Sequence, residues 1–187
     1  MIGPESRSVF QRIFRYYAGR YKKLFPGLKG PYGITEVGAW AASRPVYVFS
    51  FFKKLHLEKA SLFIDLGCGD GIVVAVASLF TTAVGIERNF ELAHHASLAF
   101  KTLGLKKASV ICGDFLEQKI ELADVLYIYP DKPVFGLFNR LKEKGWEGEL
   151  WVYGPHLAPP KLLPTNRITL GKDTLTLYDF SNPSFRQ

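Results

Sequence analysis

The run Phe63-Ile64-Asp65-Leu66-Gly67-Cys68-Gly69-Asp70-Gly71 constrains this chain more than any other stretch. An apolar strand ends in a carboxylate, a glycine-rich turn follows, and the apolar segment from Ile72 to Phe80 begins a helix. Glycines at 67, 69 and 71 permit positive φ and let a ligand reach backbone that a Cβ would block. Free N–H groups at the helix start face the same place, so the turn suits a nucleotide-like ligand. A pyrophosphate cradle needs G-x-G-x-x-G, and this turn is one residue shorter between its last glycines, which argues against NAD. The alternative is a turn that serves packing alone.

Carboxylates recur at the ends of the next apolar strands: Ala83-Val84-Gly85-Ile86-Glu87, Ser109-Val110-Ile111-Cys112-Gly113-Asp114-Phe115, and Ala123-Asp124-Val125-Leu126-Tyr127-Ile128-Tyr129-Pro130-Asp131. Ligands in open α/β sheets sit at such carboxyl ends. Taken singly, Glu87 could open a helix in solvent and Asp114 could be a turn residue after Gly113. Their common register makes those separate readings weaker.

The order D-x-G-x-G-x-G, G-I-E, D-F and the fourth strand end resembles the class I S-adenosylmethionine (SAM) methyltransferases over residues 61–154. The resemblance implies a Rossmann-like α/β fold: a mostly parallel sheet, helices on both faces, and a C-terminal antiparallel hairpin. It assigns Asp65, Gly67, Cys68, Gly69, Asp70, Gly71, Glu87, Arg88, Asp114 and Phe115 to SAM. Glu87 would hold the ribose hydroxyls, and Asp114 with Phe115 would flank the adenine. Ile128-Tyr129-Pro130-Asp131 departs from the Asn/Asp-Pro-Pro-aromatic signature of nitrogen-modifying enzymes, which lowers adenine N6 and glutamine acceptors. D-L-G-C-G-D-G followed by G-I-E is similar to the small archaeal-type protein lysine methyltransferases. Pro31-Tyr32-Gly33-Ile34-Thr35 resembles their Pro-Tyr-x-x-Thr element, which implies roles for Tyr32 and Thr35 over SAM; a loop aromatic and a helix N-cap are the alternatives.

In-line methyl displacement requires an aligned nucleophile and excluded water, and no metal. An amine acceptor must be neutral, so its proton needs a destination. The resemblance puts Tyr129, at the end of the fourth strand, on the acceptor side, with an aromatic core role as the alternative. Asp131 is the second candidate, as a base or as the N-cap of a helix over 132–144.

Length, 48% hydrophobic content and 22% charge suit one domain over 1–187, comprising a basic helical extension (1–60) and a SAM-binding core (61–187). The stretch from Gly71 to Ile86 falls short of the ~20 residues of a membrane span. No secretory signal is apparent, so the expected location is cytoplasmic. In the sheet that the resemblance implies, Cys68 and Cys112 end strands separated by a third, too far apart for a disulfide, and are expected as free thiols. A helix is expected over 5–24, a helical region over 35–55 interrupted near Pro45, and a hairpin joined by Gly171-Lys172-Asp173. Residues 45–52 read equally as helix or strand. The segment 154–160, containing His156, replaces a helix often found between strands five and six of the family.

Residues 1–60 contain eleven Lys or Arg against three Asp or Glu, whereas 61–187 contain thirteen against fourteen. In the first helix Phe10, Ile13, Phe14, Tyr17, Tyr21 and Leu24 recur at helical spacing, with Arg7, Arg12, Arg15, Lys22 and Lys23 supplying basic surface. That face is either solvated surface or a clamp for RNA phosphates, an acidic protein or an anionic membrane. His94 and His95 are adjacent, so they point apart on a helix and lack metal-ligand spacing. The expected function is methylation of a macromolecule, protein lysine before RNA, with a non-catalytic SAM-binding module as the third reading.

Overall fold

The computed structural model describes residues 4–24, 32–35, 38–131, 135–154 and 163–182. The chain begins with helix α1 (Pro4–Leu24), the hairpin strands β1 (Tyr32–Thr35) and β2 (Gly38–Ala41), and helix α2 (Pro45–Lys54). An alternating series follows: β3 (Leu62–Leu66), α3 (Ile72–Ala77), β4 (Thr82–Glu87), α4 (Phe90–Leu103), β5 (Ala108–Cys112), β6 (Val125–Ile128), α5 (Phe135–Glu143) and β7 (Glu149–Tyr153). Strands β8 (Asn166–Leu170) and β9 (Asp173–Asp179) close the series. The main sheet has the order β5-β4-β3-β6-β7-β9-β8. Its first five strands are parallel, and β9 pairs antiparallel with both β7 and β8.

Helix α1 and the C-terminal hairpin form as the sequence predicts. The helical region expected over 35–55 does not: β1 and β2 pair from Tyr32↔Ala41 to Thr35↔Gly38, and helix starts only at Pro45. Glycine disfavours helix at 33 and 38. Arg44, held by the following proline, is extended at ψ 111°. Proline is suited to the first helical position because the N–H it lacks would have no helical partner there. Residues 45–52 are therefore helical, burying Val48, Phe51 and Phe52. Helix α3 is shorter than expected and ends near Ser78, whose hydroxyl donates to the Ala75 carbonyl at 2.7 Å. The expected strand over 109–115 ends at Cys112, and the last helix is described from Phe135. His156 and the segment 155–162 lie outside the described residues.

Two apolar layers cover the sheet. One joins α1, α2, α3 and α4 to Phe63, Tyr127, Trp151 and Leu177; the other joins α5 to Ile64, Leu126, Leu150 and Tyr178. Phe52 links α2 to the first layer, with ring centroids 5.2 Å from Phe63, 5.7 Å from Trp151 and 6.0 Å from Tyr127. Truncating such a buried aromatic to alanine costs about 3–5 kcal/mol. Among the described residues no helix is long and apolar enough to cross a membrane.

Candidate functional site

The chain runs outward from β3 to β4 and β5 on one side and to β6 and β7 on the other, so a crevice opens at the carboxyl ends of β3 and β6. The glycine turn occupies it. Gly67, Gly69 and Gly71 adopt φ of 78°, 56° and 84°. Gly67 and Cys68 donate their N–H groups to the Ile86 carbonyl at 2.8 and 3.1 Å, and the Gly71 N–H reaches the Cys68 carbonyl at 3.0 Å. Cys68 lies across β4, where a Cβ on Gly85 would fall 2.4 Å from its Sγ. Glycine at 85 is thus a packing requirement.

Two buried carboxylates, from the ends of β3 and β4, stand near this turn and differ in their partners. Glu87 Oε2 accepts the Gly69 N–H at 2.8 Å, and its Oε1 accepts the Asn89 N–H at 2.8 Å. Asp65 is 2% exposed, and burial, followed by the charge of Glu87, pushes its carboxyl well above the usual carboxylate range. A positively charged ligand would relieve both groups, as the sulfonium and amine of SAM would. Burial, and then Asp65, raises the Cys68 thiol, which keeps it protonated and unreactive. Cys68 and Cys112 are both free thiols.

At the next strand end, Asp114 Oδ1 accepts the Leu116 N–H at 2.9 Å, the contact of a turn residue. Its Oδ2 lies 3.8 Å from Arg88, whose side chain is exposed. Phe115 is half-buried beside them. Arg140 from α5 reaches the carbonyls of Leu116 and Gln118 and the Glu121 carboxylate, which holds this segment in place. Tyr32 and Thr35 lie on β1, but their side chains are outside the described part of the structure.

The acceptor candidates follow β6. Tyr129 is 44% exposed, with its ring 4.9 Å from that of Tyr153 in edge contact. A Cβ on Gly154 would lie 3.1 Å from the same ring. Asp131 is exposed close by in sequence. The Tyr153 hydroxyl donates to Asp173 at 2.6 Å, and Arg44 sits 3.9 Å from that carboxylate oxygen. Burial, and then the bond to Asp173, raises the Tyr153 phenol, so it stays neutral. Ser43 and Tyr127 place their hydroxyls 3.5 Å apart below. Sequence reasoning missed Ser43, Arg44, Tyr153 and Asp173, since nothing local marks a strand-end tyrosine or a hairpin aspartate as partners.

It also missed a contribution from α1. Ile13 and Tyr17 are buried as the spacing predicts, whereas Phe14 is 43% exposed at the edge of the apolar stripe. Tyr17 donates to the backbone carbonyl of Asp70 at 3.0 Å. The first helix therefore touches the glycine turn.

The protein-L-isoaspartate(D-aspartate) O-methyltransferase family matches residues 31–119. That segment holds the glycine turn, Glu87 and Asp114 but ends before β6 and the acceptor candidates. No curated protein matches the chain in sequence. In structure it is similar to an RNA methyltransferase from Salinibacter ruber in complex with S-adenosyl-L-homocysteine, with TM-score 0.61 and 21% identity over 74% of this chain and 94% of that one. A protein-L-isoaspartate O-methyltransferase gives 0.51 and 19% over 79% of this chain and 54% of its own. The mitomycin 7-O-methyltransferase MmcR gives 0.57 and 16% over 72% and 53%. Their names span RNA, protein and mitomycin, so the likeness leaves the acceptor open. The chain has the Rossmann-like fold of the class I methyltransferases, with a seven-stranded, mostly parallel sheet ending in an antiparallel hairpin.

Proposed function

We propose that this chain transfers a methyl group from SAM to a macromolecular acceptor, a protein lysine in the first instance. One observation carries the reading: Leu66 pairs with Ile128, so the glycine turn and Tyr129 leave adjoining strand ends side by side. SAM supplies an electrophilic methyl group on a sulfonium. Asp65, Gly67, Cys68, Gly69, Asp70, Gly71 and Glu87 bind it, Arg88, Asp114 and Phe115 line the far side, and Tyr32 and Thr35 join them on the strength of the Pro-Tyr-x-x-Thr resemblance. Tyr129 aligns the acceptor nitrogen through its hydroxyl, and Asp131 takes the proton that a lysine must lose to attack. The pairing of Tyr129 with Tyr153 supplies an aromatic wall that suits a long aliphatic amine.

RNA is the second reading, favoured by the exposed Arg7, Arg12, Arg15 and Lys22 of α1 and by the Salinibacter ruber neighbour. A tritiated-methyl assay on cell extract, digested separately with protease and ribonuclease, tests both. Label released by protease and recovered as methyl-lysine supports the first reading. Label released by ribonuclease replaces it with the second, and SAM binding without incorporated label leaves a non-catalytic SAM-binding module.

A further inference from the structure

Helix α1 precedes the family-matched segment, yet its buried side ends on the cofactor turn. Tyr17 is 1% exposed and Asp70 2%, and the hydrogen bond between them spans fifty-three positions of chain. Tyr21, one helical turn further on, faces the Asp70 carboxyl, and Arg20 adds a positive charge on the same side. The other anchors of the turn come from β4: the Ile86 carbonyl holds Gly67 and Cys68, and Glu87 holds Gly69. The turn is thus gripped from β4 at its start and from α1 at Asp70. Gly71 follows at once, and a Cβ there would strike Ala96 and Phe100 of α4 at 2.7 Å. This end of the turn is therefore packed between two helices.

A glycine-rich turn loses more conformational freedom on ordering than any other backbone. An anchor that sets its shape before the ligand arrives moves that cost from binding to folding. We propose that α1 is part of the cofactor site, with Tyr17 as the positioning residue that presets Asp70 and Gly71 for SAM. The inference rests on the reading of this turn as the SAM site.

The test is a calorimetric SAM titration of the full chain as wild type, Tyr17→Phe and Tyr21→Phe. It is paired with SAM-free melting curves and hydrogen exchange at Gly69, Asp70 and Gly71. Tyr17→Phe removes one hydroxyl and is expected to weaken SAM binding about 3- to 10-fold, the worth of one hydrogen bond. It should also speed exchange at those three amides in the SAM-free protein. A purely structural role would lower the melting temperature while leaving the SAM affinity of the folded protein unchanged, and that result overturns the inference. If Tyr17→Phe does not fold, Tyr21→Phe decides the matter from the carboxyl side of the same residue: weaker SAM binding supports the latch, and unchanged affinity overturns it. A wild-type protein that does not bind SAM overturns the reading of the turn itself, and with it this inference.

Discussion

The Glu87 carboxylate holds the backbone N–H of Gly69 at 2.8 Å, so the end of one strand sets the shape of the turn that leaves its neighbour. On the proposed SAM reading, Glu87→Ala should therefore lose both a ribose contact and the anchor of the turn. The expected loss of SAM affinity is about 1.5–3 kcal/mol, the range for hydrogen bonds to a charged group. Glu87→Gln, which keeps one acceptor, should fall between wild type and alanine. Calorimetry on folded protein checks the order, and equal affinities would remove Glu87 from the site.

Gly85→Ala places a methyl group 2.4 Å from Cys68 Sγ and 2.8 Å from its Cβ. Overpacking of this kind costs about 1–3 kcal/mol. Because the sulfur is the nearest obstacle, Gly85→Ala in a Cys68→Ala background should recover part of the loss. Urea unfolding of the double-mutant cycle measures the coupling, and strict additivity would show that the turn yields without resistance.

Burial pushes Asp70 up to about 6 from 3.8, against the opposing pull of Tyr21 and Arg20. The folded state then keeps a proton that the unfolded chain releases, so stability falls as pH rises from about 4 to 6. Above that window the ionised, buried carboxylate costs about 3 kcal/mol, from roughly two units at 1.36 kcal/mol each. Asp70→Asn removes the titration. The stability of the variant relative to wild type should rise with pH across the window and level off above it. Thermal melts at fixed ionic strength test this, and a difference independent of pH would contradict it.

The strand-end positions of Asp65, the turn glycines, Glu87 and Asp114 were legible in the sequence because backbone chemistry dictates them locally. Positive φ demands glycine, and a parallel strand delivers its last carboxylate to the crevice. Gly85 was visible only as a strand residue, since the reason for it lies in Cys68 across the turn. The β1–β2 hairpin escaped because four-residue strands contain too few alternations to outweigh a helical pattern nearby. Tyr17 fitted the apolar stripe of α1, and no periodicity reveals that its hydroxyl meets Asp70 fifty-three positions away. Tyr153 and Asp173 are joined only when β9 folds back beside β7.

Tyr129 stands exposed against Tyr153, where a hydroxyl can meet an acceptor. Tyr129→Phe keeps the ring contact and should lower turnover about 2- to 10-fold, the kinetic equivalent of one hydrogen bond, with SAM affinity unchanged. Asp131→Asn tests the proposed base in the same assay. Equal turnover in both variants would assign acceptor alignment to other residues.

Arg7, Arg12, Arg15 and Lys22 are exposed on α1, whereas Ile13 and Tyr17 are buried. Reversing all four to Glu replaces a basic face with an acidic one while leaving the Tyr17 contact to the turn intact. The apparent KM for the macromolecular acceptor should rise, and its dependence on salt should weaken or invert, because screening acts on exposed charges. SAM affinity should hold within about twofold, since surface substitutions away from packed features stay within roughly 0.5 kcal/mol. The steepness of the wild-type salt series separates the two acceptors: each neutralised phosphate of RNA releases counterions and steepens the slope, whereas an acidic protein surface gives a shallower one. Unchanged KM at every salt concentration would make this face solvated surface, and acceptor recognition would then fall to residues around Tyr129.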